Sequence, residues 1–174
     1  MLKLMLSLGL VNLLGAMSPG PDFAIVVHQT LKAGRQAGLW TALGIATALV
    51  VHMSYAFFGL SLLVTQSAWL MQCIYLMGSV YLMYLGACAL SVKQPAASHE
   101  MKSETVEMVR PLAAFRAGIF TNVLNPKAML FISSMVSVVL SYHLSELDNI
   151  LIAFALILIA LLWFFALVFL ITHP

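Results

Sequence analysis

Apolar positions run through this chain in long blocks, and polar positions gather in a few short gaps. Five blocks reach or exceed the roughly 20 residues that a membrane-crossing helix needs. The first extends from about Leu4 to Leu31, the second from Leu39 to Val64 and the third from about Trp69 to Leu90. The fourth runs from about Leu112 to Leu140 and the fifth from about Asn149 to Ile171. Two blocks are interrupted: "SPGPD" (Ser18 to Asp22) breaks the first, and "NVLNPKA" breaks the fourth. The pattern predicts an all-α, polytopic membrane protein with five spans and broken helices in spans 1 and 4.

Composition agrees. The 174 residues are 63% hydrophobic and 8% charged, against about 25% charged in a soluble domain. The formal charge of +2 is too small to suggest a nucleic-acid partner. Basic residues also alternate between loops. Lys32 and Arg35 follow the first span, and Lys93, Lys102 and Arg110 follow the third, with Arg116 close behind. The gap after the second has none, and the gap after the fourth carries Glu146 and Asp148 instead. The excess of basic residues on the cytoplasmic side puts the first and third loops inside and the N-terminus outside, with Lys3 against. Lys3 and the apolar run after it could also open a signal peptide, but the run continues into a second apolar stretch, so a retained first span is simpler.

Cys73 and Cys88 share the third span and form no CxxC pair, which reads as packing. A thiol-redox conduit would need a reactive cysteine at each break. The five histidines are scattered without an i, i+4 pair, which disfavours a divalent metal exporter. Residues 91–111 read as a solvated cytoplasmic linker between repeat one (1–90) and an incomplete repeat two (112–174).

Each break carries helix-start chemistry. Ser18 is placed to cap a helix beginning at Pro19, and Asn125 one beginning at Pro126. Each interrupted span then reads as two half-helices, the second starting with its positive dipole end inside the membrane. Unwound backbone at that depth is tolerated only within protein or beside a water-filled cavity. Paired breaks in two halves are the pattern of a transporter's binding site. Three spans per half is an odd number, so the halves form an inverted repeat. Two registers remain open. Pairing Pro19 with Pro126 matches the caps; pairing Pro21 with Pro126 matches Asp22 with Lys127.

Asp22 and Lys127 are costly charges, about 2.5–3.5 kcal/mol each at a span centre. They are expected either to pair with each other or to hold the two ends of a zwitterionic amino acid, ammonium toward Asp22 and carboxylate toward Lys127. Asp22 and Gln29 share a helix face, and Lys127, Ser134 and Ser141 form a stripe with Ser137 beside it. His52 follows Gly44 and Ala48 at helical spacing, so it faces another helix, either as a structural histidine or as a proton relay with Asp22.

"MSPGPDF" together with "GIFTNVLNPKAMLF" resembles the lysine-exporter (LysE) superfamily, in its homoserine/threonine-resistance branch, and "NLLGAMSPGPDF" looks most like the threonine efflux proteins. The resemblance runs along the whole chain. It implies a secondary transporter, not an enzyme, that exports small amino acids of the threonine/homoserine type from the bacterial cytoplasm across the inner membrane, coupled to protons. The motif positions carried over are Pro19, Gly20, Pro21, Asn122, Asn125, Pro126 and Lys127. With Ser18, Asp22 and Ser134 they make up the expected substrate site. No cofactor or metal is implied. The expected partners are an amino-acid substrate and the lipid bilayer, with a homodimer compatible. The superfamily has a sixth span and this chain stops after the fifth, so the alternative is a truncated, non-transporting remnant or a partner subunit.

The orientation is directly testable. Single cysteines at Ser98 and Ser145, in a background lacking Cys73 and Cys88, are probed with an impermeant thiol reagent on intact cells. Position 145 should label and position 98 should not; the opposite result inverts the topology.

Overall fold

The computed structural model describes residues 2–66 and 110–173, with positions 69, 72, 73, 76, 80 and 83 between them. Most of the expected third span and nearly all of the linker at 91–111 lie outside the described residues. Five long helices account for the rest: α1 (Leu2–Met17), α2 (Pro21–Gln66), α3 (Pro111–Val123), α4 (Pro126–Ser141) and α5 (Glu146–Ile171).

At 1.5 Å per residue, a straight helix as long as α2 would extend about 69 Å, more than twice the hydrocarbon core of a bilayer. It does not run straight. Gly34 has φ 81° and ψ −179°, a conformation that glycine adopts without the steric penalty a Cβ brings. A Cβ added to Gly38 would run into the Thr30 side chain. In a straight helix those two residues would stand about 12 Å apart, so the chain doubles back at Gly34. The first leg completes the broken first span and the second leg is the second span. The loop expected between spans one and two thus shrinks to a single non-helical residue.

The second leg of α2 crosses α3 at very short range. Ala37, Thr41, Ala48 and His52 on one side, and Ala114, Gly118 and Asn122 on the other, are all buried. A Cβ on Gly44 would lie 3.0 Å from the Ile119 backbone nitrogen, and one on Gly118 would lie 3.1 Å from the Ile45 nitrogen. Small residues let two backbones approach where lipid supplies no hydrophobic drive for helix association. The Thr41 hydroxyl adds a 3.3 Å bond to the Ala114 carbonyl across the contact.

α3 and α4 meet at a 64° bend. α4 lies deep in the bundle, with Phe131, Ile132, Met135, Val136 and Val139 all buried. α5 buries one stripe, Ile152, Leu156, Ala160, Phe164, Leu167 and Val168. Its opposite face exposes Leu147, Ile150, Phe154, Leu158 and Leu162. A helix apolar on all sides with half its surface uncovered is suited to lipid. Arg35 ties the Gly34 turn to the end of α5: Nε donates to Thr172 Oγ1 at 2.9 Å, Nη2 to the Thr172 carbonyl at 3.3 Å, and the guanidinium lies 5.1 Å from the Phe169 ring centre. The loop after span one and the end of span five therefore share one side, as the alternating orientation requires. The described residues hold two helices long and apolar enough to cross a membrane, with the bent α3–α4 pair making a third. The protein is a multi-pass, all-helical membrane protein.

The α2–α3 crossing makes a prediction. Gly118→Val forces backbone atoms apart and should lower stability by about 1–3 kcal/mol, the usual cost of overpacking. Gly59→Val, at an exposed position with open space around its Cβ, should change it by less than about 0.5 kcal/mol. Denaturation midpoints in detergent compare the two; equal values would mean that the crossing tolerates a side chain.

Candidate functional site

The two breaks meet. Their geometry resolves the register: Pro21 is the first residue of α2 and Pro126 the first of α4. Asp22 and Lys127 therefore hold the same, second position of their helices. Asn125 caps α4 as its sequence suggests, its side-chain oxygen accepting the Lys127 backbone N–H at 3.0 Å. Ser18 does not cap α2. The residue before Pro21 is Gly20, whose carbonyl accepts the Ala24 N–H at 2.9 Å. Ser18 instead closes α1, its N–H donating to the Leu14 carbonyl at 3.1 Å. Two prolines spaced by one residue push the helix start past the serine, because neither can donate to the end of α1 and only the second sits at a helix start.

Each break is held by the other. The Lys127 ammonium donates to the Ser18 hydroxyl, to the Ser18 carbonyl at 3.2 Å and to the Pro19 carbonyl at 3.3 Å. These oxygens sit at the C-terminal, negative end of α1, where a cation is favoured. In return, Asp22 Oδ2 accepts from Asn122 Nδ2 at 3.0 Å and from Asn125 Nδ2 at 3.0 Å. A Cβ on Gly20 would stand 3.1 Å from the Lys127 ammonium nitrogen, so the glycine leaves the lysine its path. The hydrogen bonds that hold the two charges thus come from uncharged groups of the opposite break.

A cavity of about 50 Å³ opens between the breaks, room for a few waters. Ser18, Gly20, Asp22, Asn122, Asn125 and Lys127 form its polar side. Phe23, Leu49, Phe131, Ile132 and Phe164 form its apolar side. Asp22 Oδ1 and Asn122 Oδ1 are buried and accept no hydrogen bond from the described residues.

His52 is 2% exposed and sits behind the site. Its Nε2 lies 3.0 Å from the Asn122 carbonyl oxygen, which can only accept, so Nε2 carries a hydrogen. In the neutral ring Nδ1 then accepts from the Tyr55 hydroxyl at 2.6 Å. Both ring nitrogens are engaged. His52 makes no direct hydrogen bond to Asp22; Asn122, whose carbonyl it holds, stands between them.

Ser134 is not brought to the cavity. Its hydroxyl donates to the Leu130 carbonyl at 2.7 Å, and Ser137 and Ser141 likewise bond carbonyls of their own helix at 2.7 Å. Ser134 and Ser137 turn inward and Ser141 is exposed, but all three hydroxyls are satisfied within their own helix, the usual competitor to a role elsewhere. Asn12 was missed by sequence reasoning. It lines the cavity, is 4% exposed and donates to the Leu156 carbonyl at 2.8 Å, joining α1 to α5. A lone asparagine within an apolar span was the signal that marked it. Among the described residues no group of three His, Cys, Asp or Glu is placed to hold a metal ion.

Comparison with known proteins places this geometry in context. Residues 13–174 match the family model of the LysE type translocator. The chain is 33% identical over 139 residues to the threonine efflux protein of Escherichia coli strain K12, covering 79% of this chain and 66% of that protein. It is 33% identical over 140 residues to the threonine efflux protein of Salmonella typhi, again 79% and 66%. It is 32% identical over 162 residues to the uncharacterized membrane protein YrhP of Bacillus subtilis strain 168, covering 89% and 77%. The match thus spans just under two thirds of the length of the threonine efflux proteins. No solved structure matches the chain.

The hydrogen bond behind the site is testable. His52→Leu leaves the Asn122 carbonyl without its side-chain donor and the Tyr55 hydroxyl without its acceptor, and should cost about 1–3 kcal/mol of stability. His52→Gln, which can still donate to that carbonyl, should recover much of the loss. Denaturation in detergent reads both, and a harmless leucine would remove the bond from any account of the site.

Proposed function

Because the chain belongs to the LysE type translocator family, we propose that it is a secondary transporter exporting small amino acids of the threonine/homoserine type across the bacterial inner membrane, driven by protons. The observation that carries this reading is the meeting of two helix breaks around one cavity. Discontinuous helices that point half-helix ends at a buried site are how many secondary transporters hold a substrate between two halves that rock against each other. The similarity to threonine efflux proteins supports the substrate class.

The mechanism follows from the cross-bracing. Asp22 and Lys127 each begin a half-helix of one repeat and are held by groups of the other. A change of occupancy at the cavity therefore acts on both repeats at once. Asp22 is the acid we assign to proton coupling, with His52 acting on it through Asn122. The apolar wall of Phe23, Leu49, Phe131 and Ile132 suits a short side chain and offers nothing to a long charged one.

The test is export from cells. In a bacterial host lacking its own threonine exporters, the chain should lower intracellular threonine or homoserine, and a protonophore should abolish the effect. Asp22→Asn should cut efflux at least about tenfold, the loss of one proton-transfer group being worth a factor of that order or more, with membrane abundance unchanged. Unaltered pools with the protein inserted and abundant would overturn the reading.

A further inference from the structure

We infer that the cavity recognises its substrate by the ammonium end, through Asp22 Oδ1 and Asn122 Oδ1, and that Lys127 braces the fold and does not grip a carboxylate. The inference deepens the transport reading above and rests on it.

The hydrogen-bond inventory decides the matter. A lysine ammonium has three N–H donors and no acceptor. Lys127 directs its ammonium to three oxygens of the opposite break: the Ser18 hydroxyl, the Ser18 carbonyl and the Pro19 carbonyl. A substrate carboxylate would have to displace one of them and loosen the end of α1. Lys127 is also the one cationic side chain among the described residues that line the cavity. An amino acid clamped at both ends, as the two charges suggest in the sequence, is therefore not what this arrangement offers.

The acceptors are in the opposite condition. Asp22 uses Oδ2 for two amide donors, while Oδ1 is buried and takes none from the described residues. Asn122 is 1% exposed; its amide nitrogen is committed to Asp22, and its buried Oδ1 takes no donor from the described residues. Buried acceptors normally find a partner. Here two belong to neighbouring, hydrogen-bonded side chains that line one cavity, and one of them carries a carboxylate. A primary ammonium supplies what both lack: several N–H donors and a positive charge. The Asn122 backbone carbonyl is held separately by His52 and by the Asn125 N–H at 3.0 Å, so the side chain is fixed in place by bonds that a ligand need not break.

The selectivity that follows is for a free amine on a small, largely apolar body, with tolerance at the carboxyl end. A site built to hydrogen-bond an N–H rejects an analogue lacking it far more strongly than an apolar wall rejects an added methyl group.

The experiment uses the purified full chain in lipid nanodiscs, with binding measured calorimetrically for L-threonine, L-threonine methyl ester and N-acetyl-L-threonine. Threonine and its ester should bind within about threefold of each other, and the N-acetyl compound at least about 30-fold more weakly. In Lys127→Met, whatever fraction folds should keep the same threonine-to-ester ratio, because a ratio does not depend on how much protein survives. Loss of binding by the ester with retention by the N-acetyl compound would overturn the inference and leave the transport reading standing. So would a Lys127→Met ratio shifted towards the ester by about tenfold. Binding of none of the three compounds would overturn the transport reading itself, and this inference with it.

Discussion

The crossed hydrogen bonding between the two helix breaks is the constraint on which the rest of this protein depends. Lys127 satisfies the end of α1, and Asn122 and Asn125 satisfy the carboxylate that begins the first leg of α2. Bilayer hydrocarbon offers no water to an interrupted backbone, so a break there must be answered by protein groups or line a wet cavity. Asn125 caps its own helix, but the charged side chain at each break is held by groups of the other, at the point where a cavity opens between them.

The packing around this point serves it. The α2–α3 crossing is stripped to glycine, alanine and threonine at its centre, so the two backbones nearly touch. That closeness brings His52 within reach of the Asn122 carbonyl, released where α3 ends. A larger residue at Gly118 would therefore act at a distance, by withdrawing the donor that steadies Asn122. α5 closes the other side through Asn12, whose amide holds a mid-helix carbonyl. Arg35 pins the far end of the same helix to the Gly34 turn. Two polar ties, one at mid-helix and one at its C-terminal end, hold α5 in the bundle.

The cavity we propose as the binding site has an asymmetry that suits a cation. Among the described residues its donors are engaged and two buried acceptors, Asp22 Oδ1 and Asn122 Oδ1, are left over, which is unusual for buried polar groups. A permanently paired Asp22–Lys127 bridge would give a stable bundle with little reason to move. In the site we propose, the hydrogen bonds found among the described residues tie each charge to neutral groups of the opposite break, so a ligand at the spare acceptor oxygens acts on both breaks together.

The sequence by itself determined the class of molecule, the positions of both breaks, the cap at Asn125, the facing of His52 and the two charges at the breaks. These are local or compositional facts: apolar length, proline position and the cost of a charge in lipid are all readable one segment at a time. The tertiary structure decided what those groups touch. Whether the repeats align on Pro19 or Pro21 depends on where a helix starts after two prolines, and local chemistry leaves both open. Ser134 has the spacing of a pathway residue, yet its hydroxyl is spent on its own helix, since a nearby carbonyl competes with any distant partner. Lys127 looks like a partner for Asp22 because opposite signs attract. In three dimensions the carbonyls at the end of α1 lie within its reach and need donors, and the two asparagines from the opposite break occupy one carboxylate oxygen. Those contacts join residues about a hundred positions apart, and only the fold that brings the two breaks face to face creates them.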